Sequence, residues 1–271
     1  MKLQKQYEDQ GFVIIAQHAQ NVPQDDVVAF LRQNKVNFTV TSGGGVQVPD
    51  RLSGIPAAYL FNSKGELVEA GRPSSMKNSI TGLIDSEPHY LAAGIEYGKT
   101  VGKLAAALKK TKAYGTILDR LDKEIKKDGE SAAEAKFLAD NIRGFGKKRY
   151  FDARKLEASD AYAAMSLYSE LKVSFKGDKA GDKAGERIAE LKKDKDFQKE
   201  LKAGEVATKI SAECQNLVVN TGQTKPVLTS GPNKKTAAKV RAMARVLFGK
   251  YGDSKAAERT KSELESYGFD V

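Results

Sequence analysis

Residues 54–68 read Gly-Ile-Pro-Ala-Ala-Tyr-Leu-Phe-Asn-Ser-Lys-Gly-Glu-Leu-Val. The apolar run Ala57–Phe61 predicts a strand, the polar residues around Gly65 predict a turn, and Leu67 begins a second strand. Pro56 stands at the mouth of the first strand, where the missing backbone N–H costs no hydrogen bond of the sheet. This segment therefore predicts a β-hairpin introduced by a proline.

The residues on both sides of the hairpin alternate between helix and strand patterns. The predicted elements are the end of a helix at Lys2–Asp9, a strand at Phe12–Ala16, a helix beginning at Pro23, a short strand at Phe38–Thr41 and a helix at Met76–Ile84. Phe12–Ala16 is a continuous apolar run, which is typical of a buried parallel strand. The alternation predicts an α/β domain over residues 1–87.

Several short matches occur in order along this part of the chain. They are Leu3, Tyr7, Gly11-Phe12-Val13-Ile14, Gly54-Ile55-Pro56, Tyr59-Leu60-Phe61 and Gly65. In this order they resemble the thioredoxin-like redoxins of the bacterial cell envelope. The resemblance covers residues 1–84, about a third of the chain.

The same residues depart from the family pattern in one respect. The family's first core strand and its tryptophan-Cys-x-x-Cys turn would precede Met1, and the chain has no tryptophan and a single cysteine, Cys214. We therefore expect an N-terminally incomplete thioredoxin-like domain, which would arise from a trimmed chain, a fragment or a start codon placed too late.

The resemblance implies a site at Ile55 and Pro56. In the family the matching proline is cis, and the residue before it meets the backbone of the substrate beside the cysteines. The resemblance also implies thiol–disulfide oxidoreductase activity and a location in the periplasm or cell envelope. Because no dithiol is present, we expect no catalytic residue in this chain and no disulfide exchange by it.

The missing strand has a structural consequence. In the thioredoxin fold it lies between the strand matching Phe12–Ala16 and the strand matching Ala57–Phe61, so its absence leaves backbone groups unpaired on both neighbours. We therefore expect Phe12–Ala16 to pair directly with the hairpin, to borrow a strand such as Asn216–Asn220, or to pair across a dimer.

From Tyr90 onward the pattern is helical, and it predicts a connecting region over residues 88–156 and helical hairpins over residues 157–271. The glycines at 144 and 146 predict the end of one helix, and Asp152–Phe175 predicts one long helix after it. Lys183-Ala-Gly-Glu-Arg187 recurs as Lys255-Ala-Ala-Glu-Arg259, each after an aromatic residue and a Gly-Asp pair. This weak repeat is similar to tetratricopeptide-like helical hairpins.

Charge separates the two parts of the chain. Residues 1–90 have a net charge of −1 and residues 91–271 a net charge of +11, and lysine supplies 34 of the 45 basic residues. Lysines interleaved with acids are typical of solvated helix faces, and polyanion binding is the alternative. Because arginine is scarce, we expect no specific nucleic-acid recognition; a protein or peptide partner is favoured.

Few residues are candidates for chemistry. Cys214 is either a nucleophile or resolving thiol, or a small buried hydrophobe; it lies in a predicted amphipathic helix without a nearby histidine, which favours the buried hydrophobe. The histidines His18 and His89 stand apart from other metal-ligating residues, and the loop Ser42–Gly45 lacks the following helix that a phosphate site needs. No cofactor or metal site is predicted. No run of eighteen apolar residues is present, so no membrane span is expected.

Two functional hypotheses remain open. In the first, the protein is a thioredoxin-like thiol–disulfide oxidoreductase whose catalytic cysteine pair is absent from this chain. In the second, it is a non-enzymatic protein-binding scaffold that uses helical hairpins. The oligomeric state does not follow from the sequence.

Overall fold

The structure is a computed structural model that describes residues 2–18, 22–34, 36, 38–42, 52, 54–127, 129–220, 223 and 225–271. About 63% of the chain is helical, and the strands form two small sheets. In coarse form this confirms the predicted combination of a mixed α/β part and an all-α part. Within the described residues, no helix is both long enough and apolar enough to span a bilayer.

The described helices are α1 Lys2–Tyr7, α2 Gln24–Gln33, α3 Lys77–Ser86, α4 Lys99–Ala107, α5 Tyr114–Ile125, α6 Glu130–Leu156, α7 Ala161–Ser174, α8 Lys179–Leu191, α9 Lys195–Cys214, α10 Gly231–Tyr251 and α11 Lys255–Ser266. The described strands are β1 Ile15–His18, β2 Thr39–Ser42, β3 Ala58–Phe61 and β4 Leu67–Gly71.

The chain divides into two compact units that do not follow its linear order. Unit 1 comprises Met1–Asn21, Val36–Lys112 and Arg120–Asn141. Unit 2 comprises Val22–Lys35, Ala113–Asp119 and Ile142–Val271. All four described strands therefore belong to unit 1, and helices α7 to α11 belong to unit 2.

The strands of unit 1 pair in two separate sheets. β1 and β2 are parallel, with Ile15 opposite Thr39, and β3 and β4 are antiparallel, with Ala58 opposite Gly71. Among the described strands, none joins β1 to β3, so direct pairing of Phe12–Ala16 with the hairpin is not found. Residues 216–220 form no strand, so the prediction that they supply one was also wrong. Pairing across a dimer stays a prediction.

The segment Phe12–Ala16, which was predicted to be a buried strand, is covered on one face and exposed on the other. Phe12 packs against a small core of Leu60, Met76 and Ile80, but Val13 is 65% exposed and Ile15 is 68% exposed. The alternation follows from extended geometry, because successive side chains point to opposite faces and Val13 and Ile15 point away from the face that carries Phe12. The side-chain amide of Gln4 donates to the Phe12 carbonyl at 3.1 Å and accepts from the Ile14 N–H at 2.7 Å.

The hairpin forms as predicted, and its turn is organised by Asn62. The side-chain oxygen of Asn62 accepts hydrogen bonds from the N–H groups of Lys64 at 3.0 Å and Glu66 at 2.9 Å. Gly65 has a φ of 80°, a left-handed conformation that favours glycine. The Asn62 side chain thus accepts hydrogen bonds from two backbone N–H groups of the turn that have no partner in the strand pairing.

The break between the first long helices falls later than the glycines predict. α6 runs through Gly144 and Gly146 and ends at Leu156, and α7 begins only after Asp160, so the single helix predicted over Asp152–Phe175 was wrong. A helical glycine costs only about 1 kcal/mol relative to alanine, which a long helix tolerates. Asp160 is the N-cap of α7, and its side chain accepts a hydrogen bond from the Ala163 N–H at 3.0 Å.

Unit 2 contains a row of packed helices. α7 contacts α8 and α9, and α9 in turn contacts α10 and α11. A buried cluster that includes Ile210, Cys214, Val240 and Leu264 lies among α9, α10 and α11. Helical hairpins are therefore present in this part of the chain.

The structure also gives the register of the sequence repeat. α8 follows the N-cap Asp178, and α11 follows the N-cap Ser254. Lys179 is therefore the equivalent of Lys255, one helical turn before the Lys183 that the sequence pattern selects. With this register the buried residues Ala184 and Ile188 of α8 correspond to the buried residues Thr260 and Leu264 of α11.

Candidate functional site

An apolar groove runs between α7, α8 and α9. It has a volume of about 400 Å³ and is lined by Met165, Ser169, Lys172, Val173, Ile188, Lys192, Gln198 and Leu201. The α7 residues are spaced for one helix face, which places Met165 and Val173 two turns apart. Val173 is 76% exposed, so an apolar side chain faces solvent at one end of the groove.

A second cleft continues this groove. It has a volume of about 350 Å³ and is lined by Lys192, Lys193, Lys195, Gln198, Lys199, Lys202 and Tyr251. Lys192 and Gln198 line both cavities, so the apolar groove and the second cleft are adjacent. We call the six lysines at 172, 192, 193, 195, 199 and 202 the lysine rim.

Helix termini and one close contact position the groove. Asp178 and Asp194 cap α8 and α9 by accepting from the N–H groups of Ala180 and Phe197. Gln198 donates to the Leu191 carbonyl at 3.1 Å and so satisfies the end of α8. Lys192 and Lys193 follow that end directly, where the helix dipole favours positive charge.

Gly204 determines how closely α9 approaches α7. A Cβ atom at position 204 would lie 2.7 Å from the Cβ of Tyr162, which is closer than two side chains can pack. Because glycine has no Cβ, the two helices approach at this point, next to the Leu201 wall of the groove.

Most of the lysine rim has no carboxylate partner within ion-pair distance among the described residues. Among the described residues, Lys199 is the one member of the rim that pairs with a carboxylate, that of Asp253 at 2.5 Å. The hydrogen bond to Asp253 raises the pKa of Lys199. The stem of Lys172 lies over α8, 3.8 Å from where a Cβ at Gly185 would be, so its apolar carbons extend the wall of the groove.

An ion-pair network holds α8 beside α7 and the end of α6. The Arg187 guanidinium donates to both carboxylate oxygens of Glu157, at 2.9 Å and 2.6 Å, and the Tyr168 hydroxyl donates to the same carboxylate at 2.5 Å. Burial alone would raise the pKa of Glu157, but the hydrogen bonds from Arg187 and Tyr168 outweigh it and lower that pKa. Burial, followed by the bond to Glu157, raises the pKa of Tyr168.

The groove can bind but offers little for catalysis. The described lining contains lysines, apolar side chains, Gln198, Tyr251 and the hydroxyl of Ser169, and it contains no carboxylate, histidine or thiol. The Ser169 hydroxyl donates to the Met165 carbonyl at 2.8 Å and has no histidine or carboxylate of the lining to activate it. The chemistry of the groove is therefore that of apolar contact and positive charge.

The predicted site residues Ile55 and Pro56 lie elsewhere, in the loop before β3 of unit 1. The peptide bond between them is cis, as the resemblance implied, and Ile55 is 69% exposed. Nearby, the Leu52 N–H donates to the Tyr59 hydroxyl at 3.0 Å. Their predicted role in binding a substrate backbone stays a prediction.

The other candidates for chemistry are structural or isolated. Cys214 is buried, and burial raises the pKa of its thiol to about 12, so the reading of a buried hydrophobe is confirmed. His89 is buried and bonds to the backbone of Asp9 and Leu91, whereas His18 is half-buried at the end of β1. Among the described residues, no three metal-ligating side chains come together. The Gly43–Gly45 part of the glycine loop lies outside the described residues.

No family model, curated protein or solved structure matches the chain.

The sequence analysis did not predict the groove, although one signal for it was present in the sequence. Lys195, Lys199 and Lys202 are spaced for one face of α9, and α7 carries apolar residues around much of its circumference. Which of those apolar residues remains uncovered depends on the packing of α8 and α9.

Proposed function

We propose that this protein is a non-enzymatic scaffold that docks a polypeptide segment in the groove between α7, α8 and α9. The observation that carries the proposal is the apolar floor, which includes Met165, Ile188 and Leu201 and opens to solvent at Val173. Grooves between packed helices bind peptide segments by burying apolar side chains, and such a site needs no catalytic group.

The thiol chemistry of this chain supports a binding role. Its one cysteine, Cys214, is buried and has a raised pKa, so the reactive thiolate is scarce at neutral pH. A single thiol also cannot resolve a mixed disulfide within one chain. We therefore propose that the thioredoxin-like residues 1–87 act without a dithiol of their own, with Ile55 and Pro56 as a contact edge for a peptide.

Selection from a random peptide library displayed on phage tests the proposal. The wild-type protein is the bait, and Val173→Lys is the counter-selection bait. This substitution removes an exposed apolar contact, adds one positive charge to the groove and places that charge near the end of α7, where the helix dipole favours it. We expect peptides that bind the wild type and bind Val173→Lys about ten-fold more weakly.

Val246→Lys is the matched control, because Val246 is an exposed valine of α10 outside the groove. The selected peptides should bind this variant as well as they bind the wild type. Peptides that bind all three proteins equally, or the absence of any selected peptide, would contradict docking in the groove.

A further inference from the structure

We infer that the segment docked in the groove is an acidic amphipathic α-helix. This inference rests on the proposed function, and it adds the conformation and the charge of the partner. It depends on the shape of the apolar floor and on the arrangement of the lysine rim.

The apolar floor has the spacing that a helix presents. Met165 and Val173 lie two turns apart on α7, about 12 Å along its axis, and Ile188 and Leu201 close the floor from α8 and α9. A partner helix that lies along α7 would place apolar side chains at positions i, i+4 and i+7 on this floor. The exposed Val173 then becomes buried on binding.

The lysine rim determines the charge of the partner. Lys195, Lys199 and Lys202 form one stripe on α9, and Lys192 and Lys193 lie at the end of α8 beside it. The described lining of both cavities includes no carboxylate, and Lys199 is the one rim lysine paired with a carboxylate outside it, so acidic residues of an occupant would complement the charge of the rim. Glutamates on the flank of a docked helix would meet these ammonium groups while the apolar face of that helix meets the floor.

The same lining disfavours nucleic acid. The described residues of the two cavities include no arginine, and Tyr251 is their one aromatic side chain, half-buried at the far end of α10. Single-stranded nucleic acids bind through stacking platforms, and base recognition in duplexes uses arginine forks, neither of which this groove offers. The lysine rim can meet phosphate groups, but a phosphate backbone would leave the apolar floor between the three helices uncovered.

Fluorescence anisotropy with designed, labelled peptides tests the inference on the full chain. The first peptide is about 20 residues long, with leucines at heptad positions a and d and mainly glutamates elsewhere. The second has lysines in place of the glutamates. The third has the composition of the first in an order without helical periodicity. We expect binding in the order first, third, second, with the first at least ten-fold tighter than the others.

Charge reversal in the groove is then compared with charge reversal outside it. Lys195→Glu with Lys202→Glu should weaken binding of the first peptide about ten-fold or more, while Lys195→Arg with Lys202→Arg should retain it. Lys234→Glu with Lys261→Glu, on exposed positions of α10 and α11, changes the net charge equally and should leave binding nearly unchanged. Circular dichroism confirms that each variant is folded.

Several outcomes overturn the inference. Equal binding of the first and third peptides would show a site for polyanions, as would equally tight, groove-dependent binding of a mixed-sequence DNA duplex. Tighter binding of the second peptide, or no binding of any peptide, would also overturn it. The library selection remains independent, because basic or extended peptides that depend on Val173 would uphold the proposed function while contradicting an acidic helix.

Discussion

Gly146 of α6 lies directly against the ring of Phe175. A Cβ atom at position 146 would lie 2.7 Å from Cε1 of Phe175 and 3.1 Å from the Cβ of Ala180. The ring cannot move away easily, because it is fully buried and its centroid lies 5.0 Å from that of Tyr114 and 6.4 Å from that of Phe145. The glycine thus permits the contact between α6 and the turn that links α7 to α8.

Two glycine substitutions in α6 should therefore have opposite effects. Gly146→Ala should lower the free energy of unfolding by about 1–3 kcal/mol, because the added methyl overpacks a fixed aromatic cluster. Gly144→Ala should raise it by about 0.5–1 kcal/mol, because nothing lies within 4 Å of the new Cβ and alanine favours the helix. Urea unfolding followed by circular dichroism measures both. Equal effects of the two substitutions would contradict the contact.

The hydrogen bonds and ion pairs of Glu157 should stabilise unit 2 at pH values above the ordinary carboxyl pKa of 4.5. Arg187→Met should reduce the free energy of unfolding by roughly 1–3 kcal/mol at neutral pH, since it leaves a mostly buried carboxylate with the Tyr168 hydroxyl and the more distant Arg154, at 3.7 Å, as partners. Because the folded-state pKa of Glu157 is lowered, its contribution is present above the ordinary value of 4.5 and is lost as the pH falls through the folded-state value.

Acid unfolding of the wild type and of Arg187→Met measures this dependence. The variant should lose less stability than the wild type as the pH falls below about 4.5, because burial then raises the pKa of Glu157 with less opposition and protonation relieves the cost of the buried charge. Glu205→Gln is the control: its pair with Lys209 is exposed and screened by solvent, so the substitution should leave the acid transition nearly unchanged. An unchanged acid transition in Arg187→Met would contradict a stabilising role for the network.

His89 should make unit 1 sensitive to mild acid. Its Nδ1 accepts the Leu91 N–H at 3.2 Å, so the proton of the neutral ring lies on Nε2, which donates to the Asp9 carbonyl at 3.0 Å. Burial is the main cause of the lowered pKa of His89, and the charge of Lys109 lowers that pKa further. The hydrogen bond to the Asp9 carbonyl and the charge of the Asp9 carboxylate act in the opposite direction. The neutral ring is therefore favoured in the folded state. The contribution of His89 to the free energy of unfolding is fully present above the ordinary pKa of 6.5 and decreases as the pH falls below that value.

Thermal unfolding of wild type and His89→Asn between pH 7.5 and 5.5 tests this dependence. Asparagine can accept the Leu91 N–H as an N-cap but does not titrate. The variant should lose about 1–3 kcal/mol at pH 7.5 through the smaller side chain, and its stability should change less with pH than that of the wild type. The same pH dependence in both proteins would show that another group is responsible.

The buried thiol should be inert in the folded protein. Cys214 should react with Ellman's reagent at pH 7.5 far more slowly in buffer than in denaturing urea, because its pKa is raised to about 12 and the side chain is covered. In an insulin-reduction assay with dithiothreitol, the wild type and Cys214→Ser should both match buffer. Turnover above buffer that disappears in Cys214→Ser would refute the non-enzymatic interpretation of this chain.

The features that depend on residues close together in the sequence could be predicted from the sequence. The hairpin at residues 57–68 follows from an apolar run, a polar turn and Gly65, and the burial of Cys214 follows from its place on an amphipathic helix. The repeat was also visible, but its register was not, because Lys-Ala-Gly occurs twice within α8. The caps Asp178 and Ser254, which directly precede α8 and α11, distinguish the two registers.

By itself, the sequence determined the helix-rich composition, the hairpin, the uneven charge and the single thiol, because each depends on residue types or on neighbours within a few positions. Tertiary structure alone decided three other features: that α6 continues through Gly146, that Val13 and Ile15 remain exposed, and that Val173 opens a groove rimmed by lysines. Exposure and close contact depend on which distant element packs against a residue, and the pattern of one segment does not contain that information.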